Sequence, residues 1–182
     1  MSLLSESSTD RVMLFIDLQN VLRSVDSMKS EGIQLDLYHM ALQLIGTRQA
    51  VGAYVFDTRM PFGMEDRLRR MHDRLRYLGF RVVAREAYDE QRREQKEVDV
   101  ALACEMLAHA FRDNYDVAIL VSGDRDFIPA IQHVQASGKR VEVAAFSNSM
   151  SEEVKRSADR FHELDRMPLL QLSSAEEVIV HG

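Results

Sequence analysis

Short apolar runs alternate with amphipathic segments along this chain, and that alternation limits the possible folds more than any other feature. Runs rich in β-branched and aromatic residues recur at 12–16, 51–56, 80–84, 117–121 and 141–146. Runs of this length with few polar interruptions suit strands covered on both faces. Between them the period changes. Leu68, Met71, Leu75 and Leu78 follow the i, i+3, i+7, i+10 spacing of one helix face, with Arg67, Arg70 and Arg74 on the wet side. Val100, Ala103, Cys104, Leu107 and Phe111 give a second buried stripe, and Cys104 reads as core packing. Ile128, Ile131 and Val134 begin a further helix that stops at Ser137-Gly138. Strands separated by helices require right-handed crossovers and a parallel sheet. The expected fold is therefore α/β, a three-layer α/β/α sandwich around a central, mostly parallel, five-stranded sheet. The charged stretch 88–95 reads as an exposed loop.

Composition narrows the class. A chain of 182 residues, 46% hydrophobic and 29% charged, buries a real core and is not a disordered or fibrous sequence. Its expected division is a flexible N-terminus at 1–10, one domain over 11–165 and a C-terminal tail at 166–182. No apolar run approaches the about 18 residues of a membrane span. The polar, Ser-rich first ten residues resemble no secretion signal, which points to the cytoplasm. A single cysteine excludes a disulfide framework and a thiolate metal cage. The net charge of −6 argues against bulk electrostatic binding of nucleic acid. Even so, residues 59–96 carry 11 basic and seven acidic side chains, and a locally basic surface still attracts a polyanion.

Chemistry in an open parallel sheet collects at the carboxyl ends of the strands, where the winding reverses. Asp17 ends the first run, Asp124 and Asp126 follow the fourth, and Asp99 lies in the first turn of a helix. If the first and fourth strands are neighbours, these carboxylates converge. Clustered carboxylates repel one another unless a cation neutralises them, and a hard divalent ion with oxygen ligands does so. Taken singly, each acid has a plainer reading: Asp17 as a strand end, Asp124 as a helix cap, Asp126 as a first-turn acid, and Asn20 as a cap of the next helix. Asp99, between Val98 and Val100, is harder to explain as a surface residue, because an unpaired buried charge is costly. Gly123 suits a tight turn that lets a ligand approach the backbone. Ser122 and Ser147, each near a strand end, are placed to position a water or phosphate, although such hydroxyls more often serve turns.

Three blocks together carry a family resemblance. Phe15-Ile16-Asp17-Leu18-Gln19-Asn20, Lys96-Glu97-Val98-Asp99-Val100-Ala101-Leu102 and Val121-Ser122-Gly123-Asp124-Arg125-Asp126-Phe127 resemble, in order and spacing, the NYN domain, the LabA-like branch of the PIN-like nuclease superfamily. The likeness runs from about residue 12 to about residue 164. It implies a PIN-like fold with strand order 3-2-1-4-5 and a ribonuclease dependent on Mg²⁺ or Mn²⁺. Asp17, Asp99 and Asp124 would be the metal-binding acids, with Asp126 a fourth. Asn20 would orient Asp17 or the substrate, and Lys96 would meet a phosphate. Arg59 and the Arg67, Arg70 and Arg74 face are candidate contacts to the backbone of a single-stranded RNA. Glu97 departs from the glycine that many members carry and adds a negative charge near the pocket. The competing reading is an RNA-binding or protein-recruiting module with little turnover on the same fold. An exposed apolar patch would point to a homodimer. A dehalogenase-type phosphatase wants a second acid where Gln19 stands, and no Gly-x-Gly-x-x-Gly follows the first strand.

Overall fold

The computed structural model describes residues 7–27, 33–59, 65–86, 93–167 and 170–172. In chain order the elements are β1 (Arg11–Asp17), α1 (Leu18–Ser27), β2 (Ile33–Leu35), α2 (Leu37–Ile45), β3 (Gln49–Arg59), α3 (Glu65–Tyr77) and β4 (Arg81–Glu86). They continue with α4 (Arg93–Phe111), β5 (Val117–Val121), α5 (Ile128–Ala136), β6 (Arg140–Ala145), α6 (Glu152–Ser157), β7 (Arg160–Glu163) and β8 (Leu170–Leu172). The main sheet runs β4-β3-β1-β5-β6-β7, and every pairing in it is parallel.

Its first five strands take the expected order. The sixth, β7, extends the edge beside β6 and was not legible, because Arg-Phe-His-Glu offers one apolar residue and its side chains are exposed or only partly buried. A separate two-stranded ribbon joins β2 to β8, antiparallel. Its β8 lies in the segment read from the sequence as a tail, while residues 173–182 of that segment lie outside the described residues.

Strand alternation sorts the core into two layers. Val12, Leu14 and Ile16 of β1 pack with Val55 of β3 and Val117, Ile119 and Val121 of β5 against α1, α2 and α3. Met13 and Phe15 pack with Tyr54, Phe56, Ala118 and Leu120 against α4, α5 and α6. Each fully buried side chain of this kind stabilises by roughly 1.5–3 kcal/mol. The central strands β1 and β5 are buried on both faces, which is why they read as continuous apolar runs.

The second predicted stripe is out of phase. On α4 the buried apolar residues are Val98, Leu102, Met106 and Ala110, whereas Val100 and Phe111 are 61% and 71% exposed and Cys104 is exposed. Apolar residues occupy more than one side of this helix, so periodicity alone does not choose the core-facing side. The helix also starts at Arg93, so 93–95 are helical rather than loop; 88–92 lie outside the described residues.

From β1 the chain winds outward through β3 to β4. It then crosses with α4 to β5 and winds the other way to β7. The carboxyl ends of β1 and β5 therefore flank the reversal of winding, where open α/β sheets place their ligands.

Candidate functional site

Asp17 is the last residue of β1, and alternation turns it to the same side as Phe15, toward α4. It is only 2% exposed. The main-chain N–H of Asn20 donates to its Oδ1 at 3.1 Å, and the hydroxyl of Ser122 donates to its Oδ2 at 3.1 Å. Burial holds the Asp17 carboxyl above its usual range, the two hydrogen bonds and the charge of Arg23 oppose that, and the charge of Asp124 adds to it.

Asp124 follows β5 by way of Ser122 and Gly123. Its N–H donates to Ser122 Oγ at 3.3 Å, and its Oδ1 accepts the N–H of Asp126 at 3.0 Å. The capping role considered from the sequence is thus real: Asp124 caps the short 3-10 turn Arg125–Phe127. Asn20 Oδ1 accepts the N–H of Gly123 at 3.3 Å, which ties the turn after β1 to the turn after β5.

Asp99 stands on α4 about two turns from its start, not in the first turn, because the helix begins at Arg93. It is partly buried between buried Val98 and exposed Val100. Its pKa is pushed up to about 7, first by burial and then by the charges of Asp17, Asp124 and Asp126, with Arg23 opposing. Charges from β1 and the turn after β5 thus both reach Asp99 on α4. Among the described residues, no group of three or more His, Cys, Asp or Glu side chains is spaced to hold a metal ion. The donor chemistry nevertheless fits a hard divalent cation. The set is all oxygen, and its unneutralised charge adds to the burial that raises Asp99.

The other candidates are spread more widely. Ser122 is in the network, 1% exposed. Asn20 contributes both its N–H and its side-chain oxygen. Ser147 lies at the carboxyl end of β6, exposed, with its N–H donating to Asp165 Oδ2 at 2.7 Å rather than to the acids. Arg59 is the last residue of β3, in register with Glu86, and Lys96 is in the first turn of α4; their side chains lie outside the described residues, as does that of Arg67. Arg70 is exposed, whereas Arg74 is partly buried, with Nε and Nη2 lacking a hydrogen-bond partner. Glu97 is exposed.

Gly123 has a different purpose from the expected one. A Cβ there would lie 2.1 Å from the carbonyl oxygen of Ser149 and 3.0 Å from Met150 Cα. The space is taken by the chain's own turn after β6, and Ser151 N–H donates to the Gly123 carbonyl at 3.2 Å.

Arg23, Asp57 and His72 are not among the sequence-derived candidates, and Gln19 enters there only as a mismatch to a phosphatase motif. Asp57 is 0% exposed near the carboxyl end of β3. Its Oδ1 accepts from Gln19 Nε2 and its Oδ2 from His72 Nε2, both at 2.6 Å. The available signal was Val55-Phe56-Asp57, an apolar run followed by an aspartate, as in Phe15-Ile16-Asp17.

Comparison with solved structures finds a Vibrio parahaemolyticus protein of unknown function. Its crystal structure aligns with a TM-score of 0.74 over 92% of this chain and 100% of that one, at 23% identity. At that identity the likeness speaks for the fold alone. No curated protein matches the chain. The NYN domain profile matches residues 11–165, a span that holds β1 through β7 and all four acids. The chain belongs to the NYN domain family, with the nuclease-type, PIN-like fold that family carries.

Proposed function

We propose that this protein is a ribonuclease that hydrolyses phosphodiester bonds of single-stranded RNA in the cytoplasm, using Mg²⁺ or Mn²⁺ at the acidic cleft. The observation that supports this best is the Asp99 carboxyl raised to about 7 by burial and by Asp17, Asp124 and Asp126 together. Excess negative charge at a winding reversal suits a cation and, beside it, a phosphate. Asp17, Asp99 and Asp124 would hold the ion, with Asp126 as a fourth acid. When bound, the ion neutralises the carboxylates and polarises the scissile phosphate.

The chain's own residues do the remaining work. Ser122 and the Asn20 N–H fix both oxygens of Asp17, so that this carboxylate needs little reorganisation. Asp126, exposed in the turn after β5, accepts a proton from the attacking water. Lys96, Arg59 and Ser147 contact the RNA backbone. A flexible single strand can bend its phosphate into such a cleft, which a rigid duplex cannot readily do.

The test is cleavage of an end-labelled single-stranded RNA by wild type and Asp124→Asn, with Mg²⁺, Mn²⁺ or EDTA. Cutting by wild type that EDTA and Asp124→Asn both abolish supports the reading. If both proteins bind RNA and neither cuts with either metal, the protein is a binding or recruiting module.

A further inference from the structure

The carboxyl edge of the sheet holds a second buried carboxylate, one that the acid cluster does not use. In register, Asp17 of β1 pairs with Phe56 of β3, so Asp57 stands one residue beyond. Alternation sends Asp57 to the opposite face from Asp17, toward α1 and α3. There it is wholly out of water, and so is His72 at 3% exposure. Burying a carboxylate is unfavourable unless its oxygens are satisfied, and an apolar side chain would fill the same space more cheaply. Asp57 is satisfied by two donors at 2.6 Å, His72 Nε2 from α3 and Gln19 Nε2 from α1.

Gln19 sits between Asp17 and Asn20 in the first turn of α1. That turn is consequently tied to the sheet on both sides: Asn20 Oδ1 takes the Gly123 N–H next to β5, and Gln19 reaches Asp57 on β3. We propose that Asp57, locked by His72, is a positioning residue that clamps Gln19 and with it the first turn of α1, keeping the Asp17 carboxylate aimed into the acidic cleft. The clamp opposes the repulsion that Asp124 exerts on Asp17. It rests on the reading of Asp17 as a metal-holding acid.

Gln19→Ala tests it with least damage, because it removes the link and leaves the Asp57–His72 pair in place. Carboxyl-detected NMR of the metal-free protein reads Asp17 directly, and calorimetry with Mn²⁺ and RNA cleavage read its use. The expected results are a displaced Asp17 side-chain carboxyl resonance, about 10-fold weaker Mn²⁺ binding and a lower kcat at unchanged KM. His72→Gln, which keeps an N–H donor, should retain wild-type behaviour where His72→Leu does not. An unmoved Asp17 resonance in folded Gln19→Ala, or unchanged Mn²⁺ affinity and kcat alongside reduced stability, would make the network a structural brace and overturn the proposal. If wild type itself neither binds Mn²⁺ nor cuts RNA, the ribonuclease reading fails, and the Asp17 resonance still decides whether the clamp acts.

Discussion

The Ser122 hydroxyl donates to Asp17 Oδ2 at 3.1 Å and joins two strand ends that are 105 residues apart in sequence. The bond favours the charged form of Asp17 against the burial that raises its pKa. Ser122→Ala therefore pushes the Asp17 pKa further upward. If Asp17 ligates the proposed ion it must be deprotonated to do so, and Mn²⁺ binding by this variant is then expected to need a higher pH, with affinity near neutrality reduced about 10-fold. Calorimetric titrations at a series of pH values check this, and an unchanged pH dependence contradicts it.

Asp99 makes a separate prediction for the metal-free protein. Its folded pKa of about 7 lies above its ordinary value of 3.8. Below 3.8 both states hold the proton. As pH rises from 3.8 to 7 the unfolded chain releases it first, so the stability this group contributes declines and is gone above 7. Asp99→Asn, which cannot ionise, should raise the Tm at pH 8 relative to wild type more than it does at pH 4. Thermal denaturation in EDTA at the two pH values measures this, and an equal difference at both contradicts it.

Far from the cleft, Arg48 and Glu142 form a buried ion pair at 2.7 Å, and His162 Nε2 lies 2.8 Å from Glu142 Oε2. Burial alone would raise the Glu142 pKa, but the hydrogen bonds from His162 and Arg48 and their charges outweigh it and hold it at about 2. The stability it contributes is complete above its ordinary 4.5 and is lost as pH falls toward 2. Glu142→Gln leaves the Arg48 charge buried without its counter-ion, at a cost of about 3–5 kcal/mol at pH 7. The same variant should differ less from wild type at pH 3. Urea unfolding at both pH values is the check, with RNA cleavage of the folded variant retained.

Much of this architecture was written in the sequence, for identifiable reasons. Strands buried on both faces leave uninterrupted apolar runs, so β1 and β5 could be located almost to the residue. Their flanking acids could then be placed on one edge by topology. What failed depended on tertiary context. The α4 helix is apolar on more than one side, and only packing against the sheet decides that Leu102 and Met106 go in while Cys104 stays out. β7 gains its place from pairing with β6 rather than from its own residues. His72 lies beside the predicted stripe of α3, and its burial makes sense only once Asp57 is seen opposite it.

Gly123 converts such a context effect into a measurement. An alanine Cβ would meet the Ser149 carbonyl oxygen at 2.1 Å, a backbone atom that cannot rotate away. Gly123→Ala is expected to destabilise the fold by about 1–3 kcal/mol through forced displacement of the turn after β6. Denaturant unfolding measures the loss, and a wild-type midpoint would show that the turn yields freely.

Anomalous diffraction from a crystal soaked in Mn²⁺ bears most directly on the shared-cation claim. A Mn²⁺ peak is expected within coordination distance of carboxylate oxygens from Asp17, Asp99 and Asp124, absent from Asp124→Asn crystals treated alike. A fully soaked wild-type crystal with no peak among those three side chains, or with its ion held elsewhere, would contradict it.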